Sequence, residues 1–273
     1  MKYILNLHRL VTLATVLALV AYLTSACSNG GGLNVFSIDD DISMGAKMEQ
    51  EILADPTNYP ILPANLYPSA YQNLQRITDQ LLNSGQLKYR DKFAWKLHII
   101  QRDDILNAFC APGGYIYVYT GLIKYLDKES ELAGVMGHEI AHADHRHSTE
   151  AMTKQLGAQF LLDILLGNSQ NQITTLLGNV LFLKYSRNHE TDADKASVLY
   201  LCNTTDKYVA TGTAGFFQKL LDEGKGGGQF DFFSTHPSPD KRVETIHSEA
   251  TKLACTGSDT YETRYKAFKA GLP

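Results

Sequence analysis

Hydrophobic positions recur at helical spacing over much of the chain and at strand spacing over two short stretches. Leu132, Val135, Met136 and Ile140 repeat at intervals of three and four, Glu129 and Glu131 precede them, and Asp127 is placed to cap. This predicts a buried helix over Glu131–His147. Gly134 and Gly137 lower its helix propensity, so another element is expected to approach that face closely. Helical periodicity also marks Ser69–Asn83, Glu150–Leu166, Ile173–Tyr185 and Glu190–Leu201, and Gly167, Asn168 and Ser169 break the run before Ile173. Phe93–Gln101 and Tyr115–Thr120 read as strands. In the second, Tyr115, Tyr117 and Tyr119 alternate with Ile116 and Val118, and Pro112, Gly113 and Gly114 turn the chain between the two. The expected fold class is α+β, mostly helical, with a small antiparallel sheet packed against the Glu131–His147 helix.

Composition narrows the picture. The chain has 273 residues, 44% of them hydrophobic, which is enough for one sizeable core, and a net charge of −4 gives no reason to expect nucleic acid as a partner. At the N-terminus Lys2, His8 and Arg9 precede an apolar run from Leu10 to Leu23, followed by Ser25, Ala26 and Cys27. The run is short for a membrane span, and small residues just before a cysteine suit a bacterial lipoprotein signal that leaves Cys27 as a lipid-carrying first residue. Thr24 departs from the usual aliphatic residue, and a plain secretory signal is the alternative. The expected organisation is a signal peptide over 1–26, a flexible tether over 27–38 and one folded domain over 39–273. The expected address is the bacterial envelope, lipid-anchored at the periplasmic face of the outer membrane.

The chemistry concentrates in two short motifs. His138, Glu139 and His142 form an HExxH sequence. On a helix, positions i and i+4 are about 40° apart in rotation and about 6 Å apart in rise, so both imidazoles can face one metal ion with Glu139 beside it. A catalytic zinc takes three protein ligands. Glu190 can be the third if it lies on a second helix from Tyr185 to Leu201, and Asp194, one turn on, can then orient a ligating histidine. The competing readings make the histidines core hydrogen-bonders and Arg187, Asp192, Asp194 and Lys195 a solvated face with local ion pairs, which is the preferred reading for Asp192 and Lys195. His145 and His147 follow the motif, and helical extrapolation turns His147 well away from the metal, so both are read as structural. His98 and His189 are read as surface or core histidines.

Four blocks taken together, His138–His142, Ser186–Asp194, Asn107–Leu122 and Ser234–Arg242, resemble metallopeptidase family forty-eight, which includes HtpX-like and CAAX prenyl protease enzymes and soluble periplasmic lipoprotein members. The resemblance covers roughly residues 40 to 250 and implies a zincin-type domain with one Zn2+ per chain. It implies metal ligands His138, His142 and Glu190, general base Glu139 and a supporting Asp194. The implied activity is zinc-dependent endopeptidase cleavage of misfolded or misassembled envelope polypeptides, with a zinc-containing chaperone or assembly factor as the alternative. It further implies that His236, presented from a loop before Pro237, reaches the zinc region as inhibitory ligand or as catalytic group. The glycines at 224 and 226–228 make that loop a candidate lid, Ser238 and Pro239 are expected to start a helix, and Arg242 is expected to pair with Asp194 or another site acid. The Asn107–Gly114 block lies beside the cleft in the family, which makes Asn107, Ala108, Phe109, Gly113 and Gly114 candidate contacts for an extended peptide along an unpaired edge. That placement of Cys110 leaves Cys202 and Cys255 as the favoured disulfide, against three free buried thiols.

Overall fold

A computed structural model describes residues 33–155, 184–224, 232, 236 and 241–273. The signal sequence, Cys27, the 226–228 glycines, Ser238 and Pro239, and most of the helices expected at 150–166 and 173–185 lie outside the described residues. The elements are α1 (Ile38–Ala54), α2 (Pro68–Leu82), β1 (Lys96–Ile100), β2 (Ala108–Ala111), β3 (Tyr115–Tyr119), α3 (Thr120–Tyr125), α4 (Glu129–Asp144), α5 (His147–Gln155), α6 (Arg187–Cys202), α7 (Gly212–Asp222), α8 (Arg242–Lys252) and α9 (Glu262–Ala270). The architecture is mostly helical α+β. No helix among the described residues is long and apolar enough to cross a membrane.

The sheet is mixed, in the order β1-β3-β2. The expected antiparallel pairing of the two sequence-marked strands is corrected: β1 and β3 run parallel, with Lys96 opposite Tyr115 and Ile100 opposite Tyr119. The reason is the four-residue strand β2, which pairs antiparallel with β3, Ala108 opposite Val118. The Pro112–Gly114 turn therefore closes the β2–β3 hairpin, and the chain reverses once more between β1 and β2. Gly113 and Gly114 have φ of 75° and 86°, a region that favours glycine. β3 is buried on both faces: Ile116 and Val118 enter the larger core with Leu74, Ile77 and Ile140, while Tyr115, Tyr117 and Tyr119 pack with Met44, Met48 and Ile52 of α1.

Every residue of α4 is buried. The close approach expected at its glycines is present: a Cβ on Gly134 would lie 2.2 Å from the Thr213 backbone nitrogen at the start of α7, and one on Gly137 would lie 3.0 Å from Ser197 Oγ on α6. The cap differs from expectation. Lys128 occupies the N-cap position, and Glu131 accepts the backbone N–H groups of Asp127 (3.0 Å) and Lys128 (3.1 Å), so Asp127 is not the capping group. Residues assigned to the tether by composition are also held in place: Asn34 donates to Thr149 Oγ1 at 2.9 Å, the Val35 N–H to Thr153 Oγ1 at 3.2 Å, and Phe36 is buried. Cys202, at the end of α6, is disulfide-bonded to Cys255 just after α8, and Cys110 is free and buried in β2.

Candidate metal centre

α4 and α6 pack side by side, and their facing residues converge. Ser186 caps α6 by accepting the His189 N–H at 3.2 Å, which starts that helix early enough to present Glu190 and Asp194 one turn apart toward α4. His138, Glu139, His142, Glu190, Asp194 and His236 are all at most 3% exposed. His138 Nε2 and His142 Nε2 are 2.9 Å apart; Glu190 Oε2 is 3.5 Å from the first and Glu190 Oε1 3.5 Å from the second. With metal–ligand bonds of about 2.0–2.1 Å, the donors around a tetrahedral ion are spaced about 3.3–3.4 Å apart. The two imidazole nitrogens and the two Glu190 oxygens thus cluster at close to the spacing such a site needs, with the imidazoles somewhat closer together. His138, His142, Glu190 and His236 offer ligand atoms that all lie within 4.8 Å of one another.

The satisfaction of these groups is uneven. Glu139 Oε1, Glu190 Oε2 and Arg242 Nη1 are buried without a hydrogen-bonded partner. His236 Nε2 is 3.5 Å from Glu139 Oε1, and Arg242 Nη1 is 2.8 Å from Glu190 Oε2 without hydrogen-bond alignment. Native interiors seldom leave such atoms uncompensated, and a divalent cation would satisfy the carboxylates. The residues present fit a metal.

Electrostatics agrees with the geometry. Burial and the Arg242 cation oppose protonation of His138, but Asp194 and Glu190 outweigh them and push its pKa up to about 9. Burial, reinforced by His138, holds His142 well below the usual imidazole value. One imidazole therefore donates and the other accepts across 2.9 Å, an arrangement in which an ion would replace the shared proton. Burial raises the Glu139 carboxyl against the pull of His236 and His138, as suits a group that must take up a proton. Glu190 is held well below its usual range because His236 and Arg242 overcome its burial.

Around these groups sits an ordered support. Asp194 Oδ1 is 3.0 Å from His138 Nδ1, and Arg242 clamps the same carboxylate through Nε (2.8 Å) and Nη2 (2.6 Å). The Arg242 guanidinium lies 4.0 Å over the Phe217 ring. His236 Nδ1 is 2.9 Å from Glu190 Oε1, and its ring stacks on Phe232 at 4.3 Å. Tyr185 stacks on His142 at 3.9 Å, a contact that sequence spacing does not signal because Tyr185 lies ahead of α6, outside the helix.

One of the remaining readings is corrected. His147 does not point away from the site: its Nδ1 is 3.0 Å from His142 Nδ1. Asp192 keeps the exposed, locally ion-paired place read for it: it faces His147 Nε2 at 3.2 Å and contacts His145. His98 contacts Glu49 at 2.7 Å and His189 Nε2 contacts Glu150 at 3.0 Å, so both are core histidines, although His189 Nδ1 is buried without a hydrogen-bond partner. In the Asn107–Gly114 block, β2 is the last strand of the sheet and packs against α4. Gly113 packs against the α1 backbone at Asp41, and Gly114 against Trp95, which commits both to the turn. Asn107 and Phe109 are the partly exposed members, while Ala108 is buried.

Residues 68–250, about two thirds of the chain, match the sequence profile of peptidase family M48. The chain belongs to peptidase family M48. Among individual relatives of this M48 chain, the mitochondrial metalloendopeptidase OMA1 of Arabidopsis thaliana is 37% identical over 157 residues, covering 56% of this chain and 31% of that protein. The protein of the same name from Schizosaccharomyces pombe is 29% identical over 223 residues, covering 80% of this chain and 64% of its own length. The beta-barrel assembly-enhancing protease of Escherichia coli is 28% identical over 176 residues, covering 59% of this chain and 36% of its own. The M48 chain thus spans between about a third and two thirds of the length of these curated relatives.

Proposed function

We propose that this chain is a zinc-dependent endopeptidase that cleaves unfolded or misassembled polypeptides of the bacterial envelope. The observation that carries the reading is the convergence of His138 Nε2, His142 Nε2 and the Glu190 carboxylate, each nitrogen 3.5 Å from one carboxylate oxygen, with the unsatisfied Oε1 of Glu139 beside them. A zinc ion held there would supply Lewis acidity toward the attacking water and the scissile carbonyl. Glu139, buried and raised in pKa, takes the proton of that water and returns it to the leaving amine. Asp194 and Arg242 hold His138 in orientation. An extended peptide adds along the outer edge of β2, where main-chain hydrogen bonds read backbone and so suit unfolded substrates of varied sequence. Cys27 as a lipid-bearing first residue would tether this activity to the membrane.

A second reading concerns the state of the site at rest. The position of His236 within ligand distance of the other three donors favours a latent enzyme in which His236 fills the fourth coordination position. The deciding experiment combines metal content with turnover on an unfolded protein substrate. Glu139→Gln is expected to retain about one zinc per chain and to lose on the order of 10²–10⁴ of the rate. Retained hydrolysis would remove Glu139 as base, and absence of zinc in the wild-type chain would remove the site.

A further inference from the structure

α4 ends at Asp144, His145 takes the cap position, and Arg146 has φ of 61°, a left-handed conformation that is costly for a residue with a side chain. The Arg146 guanidinium secures this reversal: it reaches the Asp41 carboxylate and donates to the backbone carbonyls of Phe36 (2.6 Å) and Ser37 (2.9 Å). The chain turns back and α5 opens with His147, returned to His142 instead of projecting away as a continuous helix would place it. His147 is 4% exposed, and its ring stacks on His189 at 4.5 Å with only 9° between the planes.

The hydrogen-bond polarity of this arrangement is determined by its outer end. Asp192, as a carboxylate, can only accept, so the proton of a neutral His147 belongs on Nε2, 3.2 Å from Asp192 Oδ2. His147 Nδ1 is then a lone pair. The contact of 3.0 Å to His142 Nδ1 requires one N–H and one lone pair, so His142 carries its proton on Nδ1. That leaves a lone pair on His142 Nε2, the atom that faces His138 and Glu190. We propose that His147 and Asp192 are positioning residues that fix the ring orientation and tautomer of His142 for metal binding; this rests on the metal site proposed above. His138 receives the same service in one step from Asp194, and His142 receives it in two.

His145, His147 and Asp192 also have the composition of a second metal site, two imidazoles and one carboxylate. For His147 to ligate through Nε2, its proton must move to Nδ1. The hydrogen bond to His142 would then reverse and place a proton on the very nitrogen that faces the first metal. The two uses exclude each other while His147 is neutral, and the buried contact with His142 belongs to the positioning role.

The test is zinc affinity of the full chain, measured by chelator competition, with thermal unfolding of each variant followed in parallel without added zinc. His147→Phe keeps a ring for the His189 stack but cannot accept a hydrogen bond, and is expected to bind zinc 10–100-fold more weakly. Asp192→Ala weakens binding in the same direction. His147→Gln restores most of the affinity, because its side-chain oxygen can accept from His142 Nδ1. Wild-type affinity in His147→Phe, even with a lowered melting temperature, overturns the proposal and leaves His147 a packing residue, as does equal weakening in the Phe and Gln variants. A second zinc equivalent in the wild type that Asp192→Ala alone removes overturns it in favour of a second metal site. A wild-type chain that binds no zinc, or a His142→Ala variant that binds it undiminished, overturns the metal site and the positioning role together.

Discussion

At its N-terminal end α4 buries Glu129 under two arginines and a tyrosine; ten residues on, the same helix buries Glu139 beside histidines and a third arginine, and the two ends differ in what is left unmade. Glu129 Oε1 accepts from Arg76 Nη1 at 2.6 Å and from Arg264 and the Tyr208 hydroxyl, and Oε2 accepts from Arg76 Nη2 at 2.7 Å and Arg264 Nε at 2.9 Å. The first residue of a helix is also where a carboxylate meets unpaired backbone N–H groups. Both oxygens of that carboxylate are partnered, so it asks for no ligand. At the other end Glu139 Oε1, Glu190 Oε2 and Arg242 Nη1 lack hydrogen-bonded partners, although burial is as deep. Buried charge alone therefore does not mark a functional site; buried charge whose geometry stays unsatisfied does.

If the N-terminal cluster is a structural clasp, Glu129→Ala should carry the largest stability loss at either end, about 3 kcal/mol in denaturant unfolding. That is the low end of the range for a broken buried pair, because Arg76 and Arg264 are about a third exposed and can rehydrate. Zinc affinity of the folded variant should match the wild type. A matching fall in affinity would show that the two ends act as one unit. A smaller effect sharpens the contrast from the other side: zinc at about a hundred times its dissociation constant should stabilise the wild type by about 2.7 kcal/mol. The same increment is expected in Glu129→Ala and none in His142→Ala. Equal stabilisation of His142→Ala would place the ion elsewhere.

The difference between the ends also governs what the sequence discloses. His138, Glu139, His142, Glu190 and Asp194 are legible because each pair lies one residue or one helical turn apart, so spacing alone puts them on a face. Arg242 is legible only as a cation near that face. The Glu129 clasp is invisible, since its arginines stand 53 and 135 residues away and no local period joins them. His147 is misread for the opposite reason: a period is there, but the left-handed Arg146 interrupts it, and a non-glycine at positive φ leaves no residue-type signal. The sheet follows the same logic. β3 is legible from its alternation, whereas β2, four residues long and mostly buried, has too few positions to show one, and missing it turns a parallel neighbour into an antiparallel one.

The smallest effect concerns acid. Burial by itself would raise the Glu129 carboxyl, but hydrogen bonds from Arg76, Arg264 and Tyr208 outweigh it and hold the pKa below the ordinary 4.5. A carboxylate lowered by folding contributes stability that is present above its unfolded value and is lost as pH falls through its folded value. Asp206, 3.0 Å from Arg264, competes for the same cation and does not replace the clasp. The wild type should therefore lose stability on acidification from about pH 5 downward more steeply than Glu129→Gln, by at most one proton's worth, about 1.4 kcal/mol per pH unit. Above pH 5 the two curves should run parallel, because Glu129 is ionised in folded and unfolded chains alike. Other carboxylates contribute to both curves, so the difference between them isolates Glu129. Curves that stay parallel down to pH 3 would mean that the clasp does not favour the charged form, and the contrast between the saturated and unsaturated ends of α4 would lose its electrostatic basis.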